Sequence, residues 1–251
     1  MCDLQQTKIY SSEQEIQGYQ QMVRLLKTFP VSNSEILSNI IMFLTRSTFS
    51  HIMFMKEMYE RIINVPGCIM EFGVRWGRNL ALFEVLRCYY EPFNYSRKII
   101  GFDTFEGFPQ ISCQDGMAES VKVGNLKVTE DYVSYLNQLL EIHENLAPRS
   151  NIKKFSLIKG NALETLPKYL KDNPETVISF AYFDFDLYEP TKKCLNLIKS
   201  HLTKGSVVGF DEFYLREFPG ETIAVKETFG FNNIKLLSSP SVPHAAYFVI
   251  E

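Results

Sequence analysis

The stretch of sequence that decides the fold is Val177-Ile-Ser-Phe-Ala-Tyr-Phe-Asp-Phe-Asp-Leu-Tyr-Glu-Pro190. Its first half is an apolar run, rich in β-branched and aromatic residues, which is typical of a strand buried in a parallel sheet. Asp184 and Asp186 close the run, and Pro190 suits the first turn of a following helix. Because ligands of open α/β sheets bind outside the carboxyl ends of the strands, this stretch predicts a strand, a site at its end and then a helix.

Length, charge and composition limit the class of protein. The 251 residues suit one large α/β domain, and 45% hydrophobic residues are enough for a sizeable core. A net charge of −3 gives no indication of the basic surface that binds nucleic acid. No apolar run reaches the roughly 20 residues of a membrane span. The N-terminus lacks the features of a signal peptide, and the five cysteines are scattered without a C-x-x-C pair. We expect a reduced, cytoplasmic protein without a zinc site.

Strand-like and helix-like segments alternate along most of the chain. Residues 1–65 have apolar residues at helical spacing and are expected to form a helical extension or cap. Residues 66–251 predict an α/β domain with a mostly parallel, Rossmann-like sheet and an antiparallel final hairpin. Within it, residues 104–128 lack a clear period and are expected to form a lid or binding loop. The predicted strands are Cys68–Gly73, Lys98–Asp103, Phe155–Lys159, Val177–Asp184, Ser206–Phe210, Asn233–Leu237 and Ala245–Ile250.

The first predicted strand leads into a glycine-containing turn, Glu71-Phe-Gly-Val-Arg-Trp-Gly77, and then into an apolar helix. Such a turn brings backbone N–H groups to a helix N-terminus and lets a ligand approach closely. Asp103 ends the second strand, where an acid can accept hydrogen bonds from ribose hydroxyls, and Asn161 follows the third. Because Glu71 would repel a pyrophosphate and the turn has two glycines, S-adenosylmethionine fits better than a dinucleotide. Taken alone, the turn could equally be structural.

Two pairs of acidic residues are predicted at the ends of the fourth and fifth strands: Asp184 with Asp186, and Asp211 with Glu212. Neighbouring parallel strands bring these ends together, where carboxylates repel unless some stay protonated or a cation binds. Oxygen ligands without Cys or His indicate Mg²⁺ or Ca²⁺. The alternative is a set of solvated carboxylates, some of which favour the N-terminus of the next helix.

Four segments resemble the macrocin O-methyltransferase family and, within it, the TDP-rhamnose 3-O-methyltransferases of enediyne antibiotic pathways. They are Met70–Asn79, Gly101–Pro109, Tyr182–Thr191 and Gly209–Glu212. The D-x-D-L-Y-E motif with the acidic pair after it is the most specific part, and the likeness covers nearly the whole chain. The resemblance implies a class I methyltransferase fold, S-adenosylmethionine as donor and Mg²⁺-dependent transfer to a sugar hydroxyl in natural-product biosynthesis.

The resemblance also implies roles for individual residues. The metal ligands would be Asp184, Asp211 and Glu212. Our mechanistic hypothesis takes Asp184 and Asp186 as the catalytic residues, with Asp186 as general base within reach of the acceptor oxygen. This chain has Asn161 where relatives have Asp, and Phe185 where they have Gly, so the contacts there must differ. The residues expected to bind the donor are Glu71, Gly73, Arg75, Gly77, Arg78, Asn79, Asp103, Thr104, Asn161, Ala162 and Asp184.

Three other functions use parts of the same pattern. A catechol or phenol O-methyltransferase shares both the fold and the metal chemistry. The missing third glycine argues against a nicotinamide-dependent oxidoreductase, and the retained acidic residues argue against a scaffold without activity. We expect a small sugar or sugar-nucleotide acceptor, no nucleic-acid or membrane partner, and a homo-oligomer.

Overall fold

The computed structural model describes residues 12–251, which divide into two compact units at His51 and Ile52. Residues 1–11 of the predicted helical extension lie outside the described part of the chain. A capping box starts the first helix: the Ser12 hydroxyl accepts from the N–H of Glu15, whose carboxylate accepts from the N–H of Ser12. The first helices along the described chain are α1 (Glu13–Lys27), α2 (Asn33–Asn39) and α3 (Arg46–Ile62), with a 3₁₀ turn at Ile40–Phe43 between the last two.

The larger unit, Ile52–Glu251, is built on a seven-stranded sheet with the order β3-β2-β1-β4-β5-β7-β6. The strands β1 to β5 run parallel, and β7 runs antiparallel to both β5 and β6. The predicted parallel sheet with an antiparallel final hairpin is therefore present. The strands are β1 (Cys68–Phe72), β2 (Ile99–Asp103), β3 (Phe155–Lys159), β4 (Ile178–Phe183), β5 (Leu202–Phe210), β6 (Leu237–Ser239) and β7 (Val242–Val249).

Helices cover both faces of this sheet, as alternating parallel strands require. Alternate residues of β1 enter different cores: Ile69 packs with one cluster, and Met70 and Phe72 pack with the other. Among the described residues, no helix is both long and apolar enough to cross a membrane. The helices are α4 (Arg78–Tyr90), α5 (Tyr132–Leu146), α6 (Ala162–Asp172), α7 (Tyr188–Ile198) and α8 (Gly220–Thr228).

A row of stacked phenylalanines crosses the sheet just below the carboxyl ends of its strands. Phe72 stacks on Phe102 at 5.2 Å and on Phe183 at 4.6 Å, and Phe183 stacks on Phe210 at 5.4 Å between ring centroids. Each ring belongs to a different parallel strand, so the row holds four strand ends at a common level. The residues that follow the four rings directly are Gly73, Asp103, Asp184 and Asp211, which brings the predicted site residues to one edge.

The predicted boundaries are wrong in the closing hairpin. The strand expected over Asn233–Leu237 begins only at Leu237, because a 3₁₀ turn occupies Phe231–Asn233. The last strand begins at Val242 rather than Ala245, since a tight link lets Val242 pair with Ser239. The sheet pairing thus overrides the local breaks at proline that the sequence suggested.

Candidate active site

The turn after β1 is a left-handed segment that lies against the end of β4. Gly73, Arg75 and Gly77 have φ angles of +97°, +48° and +73°, a region that favours glycine. A Cβ atom at Gly73 would lie 2.0 Å from the carbonyl oxygen of Asp184. Only glycine therefore fits where the turn crosses the neighbouring strand, and α4 begins directly after Gly77.

Glu71 is buried beneath this turn, with a side chain that is 1% exposed. The side-chain amide of Asn79 donates to one carboxylate oxygen at 2.8 Å, and the other oxygen has no hydrogen-bond partner among the described residues. Burial, reinforced by the charges of Asp103 and Asp211, raises the pKa of Glu71 to about 8, against the opposing effects of Asn79 and Arg78. A buried carboxylate oxygen without a partner suits a cationic ligand group.

Asp103 ties the end of β2 to the glycine turn. Its carboxylate accepts from the backbone N–H groups of Arg75, at 2.8 Å, and of Phe105. Burial raises the pKa of Asp103, while these backbone donors oppose the shift. Because a carboxylate has about four acceptor positions, Asp103 keeps capacity for ligand hydroxyls.

Two other predicted donor-binding residues make local hydrogen bonds. The hydroxyl of Thr104 donates to the carbonyl of Gly107 at 2.9 Å. The side-chain oxygen of Asn161 accepts from the N–H of Leu163 at 3.0 Å and so caps α6, where Ala162 is buried. The side-chain nitrogen of Asn161 takes no part in this helix cap.

The arginines of the turn lie within electrostatic range of the acidic residues. Arg78 favours the ionised forms of Glu71 and Asp184, and Arg75 does the same for Asp103 and Asp186. A positive charge near each acid offsets part of the repulsion among the acids.

Trp76 joins the glycine turn to α5. Its ring makes an edge contact with Tyr132 at 4.7 Å between centroids, and its carbonyl accepts from the Tyr132 hydroxyl at 2.9 Å. Trp76 thus packs against the first turn of α5.

Three acidic residues form one electrostatic group at the ends of β4 and β5. The backbone N–H groups of Asp184 and Asp211 extend the parallel ladder, donating to Phe72 at 2.8 Å and to Phe183 at 3.0 Å. Burial and the charges of Asp211 and Asp186 raise the pKa of Asp184 well above its ordinary value. Burial and the charge of Asp211 raise the pKa of Asp186 to about 7. The predicted crowding of carboxylates is therefore present.

Glu212 does not join this group. The buried Glu212 follows Asp211 in the bend after β5 and lies near Glu221, whose carboxylate accepts from its backbone N–H at 3.3 Å. In the part of the chain that the structure describes, no three His, Cys, Asp or Glu side chains are grouped as a metal site. The expected ligand set of Asp184, Asp211 and Glu212 stays a prediction, and the neighbouring carboxylates of Asp184 and Asp211 suit a hard cation.

Glu221 is a site residue that the sequence analysis missed. It lies in the first turn of α8 with 0% of its side chain exposed, and it accepts from the N–H groups of Phe185 at 3.1 Å, Asp186 at 3.3 Å and Glu212 at 3.3 Å. The available signal was an acid directly after a Pro-Gly pair, which ordinarily indicates only a helix N-terminus.

The excursion over residues 104–128 is fastened to these same elements. At its base, the N–H of Phe108 donates to Asn125 at 3.0 Å. Near its middle, the buried Asp115 accepts from the N–H of Tyr188 at 2.6 Å, at the start of α7. A Cβ atom at Gly116 would lie 2.5 Å from the carbonyl oxygen of Glu217, before α8. The excursion therefore contacts both segments that follow the acidic strand ends.

A cavity of about 500 Å³ opens beside the ends of β2 and β3. It is lined by Phe105, Glu106, Lys159 and the first turn of α5, and Lys159 pairs with Glu106 at 3.3 Å. None of the predicted site residues lines it, so the site described above is a separate feature.

Comparison with known proteins identifies the family. The family model for macrocin-O-methyltransferase (TylF) matches residues 50–235, which is well over half of the chain. The chain belongs to the macrocin O-methyltransferase family. It is accordingly an S-adenosylmethionine-dependent O-methyltransferase, and the resemblance, the fold class and the enzyme class predicted from the sequence are confirmed. A search of curated proteins found no match.

Solved structures include members close to this chain. The crystal structure of CalS11, a calicheamicin methyltransferase, has 40% identity and a TM-score of 0.93, covering 96% of this chain and 94% of its own. The apo structure of CalS11, described as TDP-rhamnose 3'-O-methyltransferase, has 38% identity and a TM-score of 0.85, covering 96% of both chains. The O-methyltransferase NovP, at 21% identity and a TM-score of 0.60 over 80% of this chain and 79% of its own, shares the fold.

Proposed function

We propose that this O-methyltransferase moves the methyl group of S-adenosylmethionine to a hydroxyl of a deoxysugar such as rhamnose, carried by a nucleotide or a natural product. The observation that carries the proposal is the 40% identity to the calicheamicin methyltransferase over 96% of this chain. The second CalS11 structure is described as a TDP-rhamnose 3'-O-methyltransferase. Similarity over the full length of both proteins supports a related acceptor.

The donor binds at the glycine turn. The Glu71 oxygen that lacks a hydrogen-bond partner accepts from the donor's ammonium group, and Asn79 keeps the carboxylate in place. Asp103, held by the turn, accepts from the ribose hydroxyls with its remaining acceptor positions. The backbone of Gly73 and Gly77 allows close approach of the donor. The same site includes Arg75, Arg78, Thr104, Asn161, Ala162 and Asp184.

The acceptor binds at the acidic group, where Asp186 acts as general base. The acceptor oxygen attacks the methyl carbon, the carbon–sulfur bond breaks, S-adenosylhomocysteine leaves, and the hydroxyl proton passes to the Asp186 carboxylate. Positioning is the larger contribution, since aligned reactants gain roughly 7–11 kcal/mol. The contacts of Asp115 and Gly116 with the segments beside α7 and α8 support a role for the 104–128 excursion as a cover that excludes water.

We also propose that Mg²⁺ binds through Asp184, Asp211 and Glu212. The mutual repulsion of Asp184 and Asp211 supports these two ligands more directly than Glu212, whose side chain is buried near Glu221. When bound, the ion orients neighbouring acceptor hydroxyls and lowers the pKa of the one that reacts. A homo-oligomer in the cytoplasm remains our expectation, and light scattering of the purified protein tests the first part.

The test is an acceptor screen with labelled donor. Purified protein is incubated with TDP-rhamnose, free and glycoside-linked deoxysugars, and catechols, each with Mg²⁺ or with a chelator, and products are read by mass. We expect methylation of a deoxysugar hydroxyl. Methylation of catechols alone would overturn the proposal in favour of a phenol O-methyltransferase.

A further inference from the structure

The first turn of α8 is wedged against the segment that links β4 to α7. A Cβ atom at Gly220 would lie 2.6 Å from the backbone nitrogen of Tyr188 and 3.0 Å from the carbonyl oxygen of Asp186. Glycine at this position lets the helix approach that backbone directly. The next residue, Glu221, then enters the space between the two acidic strand ends with no exposed side-chain surface.

The two oxygens of Glu221 serve different loops. Oε1 accepts from two consecutive backbone N–H groups after β4, those of Phe185 at 3.1 Å and Asp186 at 3.3 Å. Oε2 accepts from the N–H of Glu212 after β5 at 3.3 Å. One carboxyl group therefore bridges the two chain segments that carry the acidic residues of the site.

This bridge acts on a residue in an unfavourable backbone conformation. Asp186 has a φ angle of +60°, a left-handed conformation that a residue with a Cβ atom adopts only at a cost. The Glu221 carboxylate accepts from the N–H of Asp186 itself and from that of Phe185, and these hydrogen bonds offset part of the cost and hold the backbone that carries the Asp186 side chain.

We propose that Glu221 is a positioning residue for methyl transfer, bracing the loops after β4 and β5 so that Asp186 meets the acceptor hydroxyl. The inference rests on the proposed function, in which Asp186 is the general base. Glu221 touches neither donor nor acceptor, and it acts through the backbone of Phe185, Asp186 and Glu212.

Two substitutions separate the effect of side-chain length from the effect of the number of accepting oxygens. Glu221→Gln keeps the length but replaces one accepting oxygen with an NH₂ group, which faces a backbone donor at one of the loops. Glu221→Asp keeps both oxygens but is too short to span the two loops. Because misplacement by about 1 Å costs on the order of 100-fold in rate, we expect kcat to fall by about 10- to 100-fold in both variants. The Kd for the donor should stay close to wild type, since Glu71 and Asp103 are untouched.

The matched control is Glu227→Gln on the same helix. Glu227 is exposed, and its carboxylate accepts from the side chains of Lys192 and Tyr188 on α7, each at 2.6 Å, rather than from the backbone amides after β4 and β5, so this variant should keep the wild-type kcat. Amide-resolved hydrogen exchange supplies the structural readout: the amides of Phe185, Asp186 and Glu212 are protected in the wild type and lose protection in the Glu221 variants.

The outcomes are distinguishable. Wild-type kcat in both Glu221 variants would overturn the inference, and so would an equal loss of kcat, donor affinity and thermal stability, which would indicate general damage to the fold. Wild-type protein that methylates no sugar, yet protects the three amides in a Glu221-dependent way, would overturn the proposed function and leave the brace intact. A selective loss of kcat with loss of amide protection supports the inference.

Discussion

The side-chain amide of Asn79 donates a 2.8 Å hydrogen bond to Glu71, and it holds that carboxylate so that its second oxygen stays buried without a partner among residues 12–251. The pair spans the glycine turn, since Glu71 lies on β1 and Asn79 lies in the first turn of α4. An arrangement that orders one oxygen and leaves the other for a ligand is typical of a preorganised binding site.

Replacing Glu71 should weaken donor binding selectively. Glu71→Gln keeps the acceptor for Asn79 but removes the charge that we assign to the donor's ammonium group. A hydrogen bond to a charged group contributes about 1.5–3 kcal/mol, so calorimetric titration should give a donor Kd roughly 10- to 100-fold weaker. Glu175→Gln, at an exposed position, is the control. An unchanged Kd in Glu71→Gln would remove Glu71 from the donor site.

The same residue predicts a pH dependence of stability. The pKa of Glu71 is about 8 in the folded protein because of burial, against an ordinary value of 4.5. The unfolded chain ionises first as pH rises, so the stability that the neutral carboxyl provides is complete below about pH 4.5 and is lost as pH rises through about 8. Glu71→Gln carries no ionisable group and escapes this loss.

Urea unfolding of both proteins at pH 5, 6.5 and 8 measures that difference. We expect Glu71→Gln to gain stability relative to wild type by on the order of a few kcal/mol between pH 5 and 8. Taking the difference cancels the other titrating groups. A difference that stays constant with pH would show that Glu71 is ionised in the folded protein at neutral pH.

Sequence reasoning worked where local pattern and sheet geometry agree. The observed β3 has the predicted bounds Phe155–Lys159, and β2 differs from its prediction by one residue, because apolar runs bounded by polar turns leave few alternatives. Asp184 and Asp211 meet because parallel strands align their carboxyl ends, which topology alone implies.

Sequence reasoning failed where the contact joins residues distant along the chain or depends on side-chain direction. Glu221 bridges to Phe185 across 36 positions and Asp115 reaches Tyr188 across 73, and no local pattern encodes such partners. The ligand role of Glu212 stays a prediction, because Asp211 and Glu212 lie in the bend after β5, where no local pattern encodes the direction of a side chain.

A buried arginine outside the site should control stability. Arg97 is 2% exposed and donates to the carbonyls of Val65, Gly67 and Ile62 at 2.7–2.9 Å, while pairing with Glu91 at 2.9 Å. Arg97→Met removes a donor from each of these carbonyls and the buried positive charge that pairs with the Glu91 carboxylate.

Breaking such a buried pair costs about 3–5 kcal/mol, and we expect that loss in urea unfolding of Arg97→Met. The control is Lys122→Met, because Lys122 forms an exposed pair with Glu119 at 4.0 Å that contributes at most about 1 kcal/mol. Equal stability of the two variants would contradict a structural role for the Arg97 network.

The contact between Asp115 and Tyr188 should govern the mobility of the 104–128 excursion. Asp115→Ala removes the acceptor that joins the excursion to α7, so trypsin should cleave several-fold faster at Lys122 and Lys127, and Glu119→Ala should have no effect. In the wild type, donor and acceptor together should slow cleavage. Equal rates with and without both ligands would argue against a lid.

The geometry of the strand ends also ranks the proposed metal ligands. The negative charge of Asp211 disfavours the ionised form of Asp184, whereas Glu212 is buried near Glu221. A cation bound between Asp184 and Asp211 would relieve this repulsion directly.

We therefore expect Asp184→Asn to abolish Mg²⁺-dependent turnover while donor binding persists, and Glu212→Gln to lose less Mg²⁺ affinity than Asp184→Asn. Titration of Mg²⁺ into chelator-treated proteins, followed by calorimetry and by turnover, measures both effects. Wild-type turnover in chelator-treated Asp184→Asn would exclude the ion from the reaction, and an equal loss of affinity in both variants would make Glu212 a full ligand despite its buried position.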